Sequence, residues 1–365
     1  MKIIMLENFP FMIFIISFTI FFSLEFILDR SIFKLNTYIS NHLHLSSNEW
    51  EEVYKSDYST EIYCQNKTYV GNTGNFYVRE VYFSNLGNDG VIILKSSDIK
   101  SLISTSTFEN SSRDDRGGSI YILQGQSSIR KVCSFGSKST STGKFCWIWE
   151  SDVSTNVNEL HHSSITYSNQ GVRNGYDTIF LRYGNNSFLE NNVTRNYCQW
   201  NTAFAIGYGE GTSSIKYSII DENYADSRIC LTGIKPTKYN SIVFINNTVS
   251  KPSGWIGMIF CNNCEVTLEN CFIANNKQNG QYLFGINKDY PGSIRVSNTY
   301  IDTTELLYEE GQNVTINKNN SVISIELRLL STGLCPTGYF ISSNNNKGNE
   351  ITSNISYNIF KNRRR

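Results

Sequence analysis

The sequence has little proline, little charge and little histidine. Of its 365 residues, five are proline, four are histidine and 18% are charged. Basic and acidic residues number 32 each, so the formal net charge is zero and no global attraction to nucleic acid is expected. Stretches rich in Ala, Leu, Glu and Lys are hard to find after residue 60, which disfavours a helical protein.

Uncharged polar and aromatic residues fill the chain instead. Asparagine occupies 43 positions, and aromatic residues make up 13%. Asparagine favours turns, while aromatic and β-branched residues favour strands. The composition therefore predicts an all-β protein with many short strands.

The N-terminus carries an apolar segment of a different kind. Phe9–Leu28 is about 20 residues long, which is enough to cross a bilayer as a helix. Its position also suits the apolar core of a secretory signal. Residues 1–29 are therefore predicted to form an apolar helix that is either a cleaved signal peptide or a retained membrane anchor. Charges on its two flanks are too balanced to orient it.

Several features favour a location outside the cytosol, either secreted or at the cell surface. The nine cysteines are an odd number, so at least one stays free or pairs between chains. Eight N-x-S/T sequons are present, at Asn66, Asn110, Asn185, Asn192, Asn246, Asn313, Asn319 and Asn354. We predict N-glycosylation at four of them: Asn66, Asn110, Asn313 and Asn354.

The chain repeats with a period of about 27 residues. Each period holds an apolar anchor close to Asn or Asp, then a second apolar stretch that often opens with glycine, as in 117–123, 143–149 and 175–181. Both stretches have the length of strands rather than helices. The anchors are Phe83, Phe108, Phe135, Ile165, Val193, Ile219, Val249, Phe272 and Tyr300.

Such a unit cannot bury its own apolar face, so stacking of neighbouring units is required. The expected product is a parallel β-helix of roughly nine coils, a solenoid whose coils stack at about 4.8 Å. We assign 30–75 to a connecting or capping segment, 76–330 to the β-helix and 331–365 to a loosely ordered tail. A β-sandwich of short strands is the alternative fold.

Four short motifs resemble those of a known family. Gly117–Ile120 is similar to the GGA[ILV] motif of the chlamydial polymorphic membrane proteins. Phe188–Asn191, Phe244–Asn247 and Phe272–Asn275 match the FxxN motif of the same proteins. The Asn-rich style of the repeats also resembles the β-helix surface proteins of trichomonads. The resemblance covers roughly residues 75–330.

This resemblance implies a right-handed parallel β-helix, exposure at the surface and adhesion to host-cell or surface glycans and proteins. The chain departs from the chlamydial pattern, because only one GGxI motif occurs and no autotransporter barrel follows the repeats. Adhesion therefore carries over as a tendency of the family.

Three cysteines lie close together in the sequence, at Cys261, Cys264 and Cys271. They could begin a zinc site, but all four histidines are far away along a fold in which only neighbouring coils touch. A Cys261–Cys264 disulfide across a turn is an alternative if the compartment is oxidising, and the repeat leaves the redox state of this pair open. We interpret the remaining thiols as small apolar groups on inward-facing positions, and we expect no metal or cofactor.

Catalysis is the alternative to adhesion, since parallel β-helices include polysaccharide lyases and hydrolases. Glycoside hydrolysis needs two carboxylates facing each other across a sugar. Asp114 and Asp115 are adjacent, so on a strand they would point to opposite faces, and His161 and His162 lack a nucleophile elbow. We therefore predict a non-enzymatic scaffold, with a carbohydrate-active enzyme and a membrane-anchored protein of unknown ligand as alternatives.

Carbohydrate binding without catalysis is a further function that the tryptophans on the long solenoid faces could serve. Four tryptophans could stack on sugars if their side chains point outward: Trp147, Trp149, Trp200 and Trp255. The sequence alone does not determine whether these side chains point outward or into the core.

Overall fold

The computed structural model of the chain describes residues 49–55, 60–63, 65–151, 155–169, 174–208, 213–250 and 257–318, together with 325, 327 and 329. The chain divides into two units, residues 1–57 and 58–365. In the first unit, residues 49–54 form a helix. Trp50 and Tyr54 share one side of it, with ring centroids 4.7 Å apart.

The second unit is a parallel β-solenoid, which confirms the predicted β-helix and excludes the β-sandwich. Every strand ladder in its described part pairs in parallel with the equivalent strand of the next coil. The right-handed winding stays a prediction. No helix among the described residues is long and apolar enough to cross a membrane. The apolar segment Phe9–Leu28 lies outside those residues.

Each coil contributes a strand to three sheets. The first sheet contains Thr60–Tyr63, Phe76–Arg79, Lys100–Ser104, Gln126–Arg130, Val157–His161, Asn185–Leu189, Ser213–Lys216, Thr237–Asn240, Glu265–Glu269, Ser293–Ile301 and Val314–Lys318. The second contains Tyr82–Ser84, Thr107–Glu109, Cys133–Phe135, Ser164–Thr166, Asn192–Thr194, Ile219–Asp221, Val243–Ile245 and Phe272–Ala274, and then the end of Ser293–Ile301.

The third sheet carries the surface discussed below. It contains Tyr69–Gly71, Ile92–Lys95, Ile120–Gln124, Cys146–Glu150, Ile179–Arg182, Asn201–Tyr208, Arg228–Thr232, Ile259–Cys261 and Phe284–Ile286. These nine described strands complete about eight turns. Short pairs of strands lie between the second and third sheets, at Ser112–Arg113 with Lys138–Ser139, and in a row at Tyr197–Cys198, Tyr224–Ala225 and Thr248–Val249.

The core is a continuous apolar column inside the coils. Alternate strand residues point inward, so each coil adds its inward side chains to the same stacks. One stack follows the third sheet through Ile92, Ile120, Cys146, Ile179, Phe204, Cys230, Ile259 and Phe284. The thiols of Cys146, Cys230 and Cys271 belong to this core, as predicted.

Of the nine anchors chosen from the sequence, five point into the core: Phe83, Phe108, Ile165, Val193 and Val249. Val249 reaches the core from the short strand Thr248–Val249. The prediction was wrong for the other four, because the inward positions are Ser134, Ile220, Ile273 and Ile301, not Phe135, Ile219, Phe272 and Tyr300.

The physical reason for most of these errors is a second, outer apolar cluster. Ile219, Val243, Ile245, Phe272 and Ala274 face outward and are covered by Leu327 and Leu329. Both faces of these strands are therefore apolar, and alternation gives no signal there.

Two corners of the coil are turned by single residues in the left-handed region. At the corner between the first and second sheets the φ angles lie between 43° and 55°, at Glu80, Thr105, Lys131, His162, Glu190, Tyr217, Ser241, Asn270 and Asn298. At the next corner they lie between 51° and 72°, at Asn85, Asn110, Gly136, Tyr167, Arg195, Glu222, Asn246 and Asn275. Asparagine and glycine adopt this conformation most readily, which explains part of the asparagine content.

A buried asparagine ladder runs beside the second of these corners. Asn196, Asn223 and Asn247 each donate a side-chain amide to a backbone carbonyl of the preceding coil and another to the next asparagine, at 2.8–3.1 Å. The ladder continues from Asn247 to Asn276, whereas Asn275 is an exposed corner residue outside the ladder.

Candidate functional site

The cysteine pair lies at the end of a third-sheet strand. The Cα atoms of Cys261 and Cys264 are 5.7 Å apart, a separation that suits a disulfide. Cys264 also lines a cleft of about 360 Å³ together with Glu265, Pro291 and Asn313. The disulfide stays a prediction, since it depends on the redox compartment. Within the described ranges, no three His, Cys, Asp or Glu side chains lie close enough together to hold a metal ion.

Of the four glycosylation candidates, three lie at exposed positions. Asn66, Asn110 and Asn313 are exposed, and Asn354 lies outside the described residues. The Asn66 side chain accepts a hydrogen bond from Ser84 N at 2.9 Å and donates one to Ser84 O at 3.3 Å. Glycosylation at all four stays a prediction.

The residues considered for catalysis do not converge on one site. Asp114 and Asp115 are exposed in a loop, where Arg116 Nε lies 3.8 Å from Asp115 Oδ1. His161 lies on the outer face of the first sheet, in a different part of the coil. Its Nε2 is 2.8 Å from Ser187 Oγ and 3.5 Å from Glu159 Oε2.

This histidine cluster does not have the geometry of a catalytic triad. In a triad the hydroxyl and the carboxylate contact different ring nitrogens, whereas here both contact Nε2 of His161. Arg130 Nε also donates to Glu159 Oε1 at 3.0 Å. Burial alone would raise the pKa of Glu159, but the charges of His161 and Arg130 and hydrogen bonds from Ser128 and Arg130 bring it below its usual value. Burial lowers the pKa of His161 more than Glu159 raises it. The cluster is a polar ion-pair network.

Aromatic side chains cover the outer face of the third sheet. Cys146 and Ile148 point into the core, so Trp147 and Trp149, which alternate with them along the strand, point outward. The Trp147 ring is nearly parallel to the ring of Tyr121 on the preceding coil, at 4.9 Å, and to that of Phe180 on the next, at 5.9 Å. These distances suit stacked aromatic pairs.

The short strand Ser112–Arg113 and the loop after it place two arginines over this stack. The Arg113 guanidinium is 4.1 Å from the ring centroid of Tyr121, and that of Arg116 is 5.1 Å from Trp147. Both distances are within the range of a cation–π interaction. Trp147 is only 2% exposed, so the first aromatic column is covered by the protein itself.

The second outward column is partly exposed. Arg182 lies between Trp149 and Tyr208 in register, and its guanidinium is 3.9 Å from the Trp149 ring centroid and 5.3 Å from that of Tyr208. Arg182 Nη2 also donates to the Tyr183 hydroxyl at 2.9 Å. We call these four residues the arginine–aromatic cluster. All four side chains are partly accessible to solvent.

The aromatic surface extends toward the start of the third-sheet strands. Tyr176, which is 47% exposed, stacks on Trp200 at 5.9 Å, and Arg228 lies 5.2 Å from the Trp200 ring. Trp255 lies outside the described residues. Arg182 and Tyr208 were not singled out from the sequence. They could have been found by alignment of the third-sheet strands, because the outward position of Trp149 in "WIW" corresponds to Arg182 in "IFLR" and to Tyr208 in "IGY" of the next two coils.

The arrangement offers flat aromatic faces beside a guanidinium that can donate hydrogen bonds. It suits binding of a ring-shaped, hydroxyl-rich ligand more than bond breaking, because neither an activated nucleophile nor a carboxylate pair lies within the arginine–aromatic cluster. Comparison with family models, curated proteins and solved structures finds no match to this chain.

Proposed function

We propose that this protein is a non-enzymatic adhesive scaffold, secreted or held at a cell surface, that binds glycans on the outer face of its third sheet. The observation that carries the proposal is the arginine–aromatic cluster of Trp149, Arg182, Tyr183 and Tyr208. Aromatic rings stack on the apolar faces of sugars, and an arginine beside them supplies several hydrogen-bond donors in a fixed plane.

The fold supports this use. A solenoid presents a long surface on which successive coils repeat a binding pattern, so an extended glycan could contact several coils at once. Placement outside the cytosol rests on the apolar segment Phe9–Leu28 and on the sequons.

Binding of the purified chain to a broad glycan panel tests the proposal. Replacing Trp149 with alanine should weaken binding roughly tenfold. This corresponds to a loss of about 1.4 kcal/mol in binding free energy, which is the size expected for the loss of one stacking interaction. Phe135→Ala is the matched control, because Phe135 is 42% exposed but lies on the second sheet. Failure of the wild-type chain to bind any glycan, or equal weakening by the two variants, would contradict the proposal.

The enzyme alternative is best tested at Glu159. Glu159 and His161 are a carboxylate and an imidazole in contact on the polar outer face of the first sheet. Release of reducing sugars from polysaccharides, lost in Glu159→Gln, would establish an enzyme instead of a scaffold.

The membrane-anchored alternative makes a different prediction: N-terminal sequencing of the mature protein should then find the segment Phe9–Leu28 intact.

A further inference from the structure

A buried lysine meets a carboxamide beside the third sheet, away from the arginine–aromatic cluster. Lys144 is fully buried. Its Nζ donates to Ser139 O and, at 3.2 Å, to Ser141 O, and it lies 3.4 Å from Oδ1 of Asn174 on the following coil. The backbone holds the two coils together here, because Lys144 N donates to Asp177 O at 2.9 Å.

We propose that Lys144 and Asn174 form an intramolecular isopeptide bond. The lone pair of Lys144 Nζ attacks Cγ of Asn174, the Cγ–Nδ2 bond breaks, and ammonia leaves with a proton that comes from Nζ. The product is a secondary amide that joins two coils covalently. The reaction consumes no oxidant and no second substrate.

The lysine has the properties of a nucleophile. Burial lowers the pKa of Lys144, although Cys198 and Asp177 oppose this effect, so the neutral amine is more accessible than in water. A neutral amine has two N–H donors, and the carbonyls of Ser139 and Ser141 accept both. The lone pair is then left for the third neighbour, Asn174, whose Oδ1 lies 3.4 Å from Nζ, so the amine and the carboxamide are in contact.

The carboxamide is polarised by a second amide. Asn169 Nδ2 lies 3.3 Å from Asn174 Oδ1 and donates to it, and the Asn169 side chain is only 2% exposed. As the nucleophile adds, negative charge develops on this oxygen. A buried, pre-oriented donor stabilises such charge more than water does.

A carboxyl group is placed to move the proton. Asp177 is buried, accepts from Asn201 Nδ2 at 2.6 Å and is close enough for its charge to act on Lys144. Burial raises the pKa of Asp177 to about 6, against hydrogen bonding by Asn201 and the charge of Arg228. A group of this pKa can accept a proton from Nζ and return it to Nδ2 near neutral pH.

Glycine at position 175 makes room for this approach. A Cβ atom on Gly175 would fall on Lys144 Nζ and on Ser141 O, and the φ angle of +70° is one that other residues rarely adopt. A larger residue at this position would separate the two reacting groups. The bond would tie the loop after Ser139 to the next coil, which suits a scaffold under mechanical load.

Peptide mapping of the denatured full-length chain tests the proposal directly. A tryptic digest should contain one branched species that joins the peptides of Lys144 and Asn174 and lacks the mass of one ammonia molecule. Detection of both linear peptides with unmodified Lys144 and Asn174, and of no branched species, would overturn the proposal.

Three variants test the roles of the individual residues in forming the bond. Lys144→Met should abolish the branched species. Lys235→Met is the matched control, since Lys235 is also only 2% exposed but its Nζ donates to Gly184 O at 2.6 Å; this variant should retain the bond. Asp177→Asn keeps both reacting groups, so it should slow formation of the bond, and full formation there would refute the proton-transfer role. The result is independent of glycan binding.

Discussion

Glu150 should make the solenoid less stable as the pH rises through neutrality. Its side chain is fully buried at the end of a third-sheet strand, where Oε1 accepts from Ser127 N at 3.2 Å and Oε2 has no hydrogen-bond partner among the described residues. Burial raises the pKa of Glu150 from 4.5 to about 9, although the hydrogen bond from Ser127 and the charge of Lys235 oppose this. The folded protein therefore holds a proton at pH 7 that the unfolded chain releases.

The sign and size of the effect follow from this difference. Between about pH 4.5 and pH 9 the folded state binds one more proton at this site, so the free energy of unfolding falls by about 1.4 kcal/mol for each pH unit. From pH 6 to pH 8 the loss is about 3 kcal/mol. Glu150→Gln keeps the size of the side chain but cannot ionise, so the variant should lose this part of the slope.

Urea denaturation of both proteins at several pH values between 6 and 8 measures the effect. Other titrating groups are common to the two proteins, so only the difference between their slopes is interpreted. The variant should become more stable than the wild type as the pH rises, whereas the two should converge toward pH 5. Parallel slopes would show that Glu150 is ionised in the folded state and would refute the reasoning.

Two further predictions concern asparagines at the second corner. Asn223→Ala should lower the free energy of unfolding by about 2–4 kcal/mol, because the buried amide accepts from Asn196 N and donates to Val193 O and Asn247 Oδ1; an unchanged denaturation midpoint would argue against the ladder. Asn275→Val should cost about 1–2 kcal/mol and Asn275→Gly almost nothing, because φ is 56° at this exposed residue; equal midpoints of the two variants in thermal unfolding would contradict a backbone origin.

The sequence predicts the repeat well because the inner column is continuous. An inward position needs only an apolar side chain of about the right size, so Phe83 and Phe108, and later Ile165 and Val193, mark successive coils without knowledge of the loops. The same tolerance makes it hard to predict from the sequence which residue of a strand points inward. Where the outer face is also apolar, as at Phe272 beside Ile273, either residue satisfies the pattern, and only the observed register separates them.

The candidate site could be predicted only in part, because it is built across coils. Trp149 and Arg182 are 33 residues apart (149 to 182), and Arg182 and Tyr208 are 26 apart (182 to 208), although each pair is in register. Connections of unequal length between the strands hide this alignment in the sequence. The isopeptide candidates Lys144 and Asn174 are separated in the same way.

A comparison of two faces of the solenoid argues that the third sheet is built for binding. One outward column of the first sheet is mainly polar, as expected for a sheet in water: Ser128, Glu159, Ser187, Ser214, Lys238, Thr267 and Arg295. On the third sheet, Tyr121 and Trp147 are aromatic instead, and Arg113 and Arg116 cover them. Trp149 stacks with Arg182 but stays partly accessible to solvent, unlike Trp147. An accessible aromatic group beside a guanidinium is a candidate interaction site, which is why Trp149 is the residue on which the proposed function should first be tested.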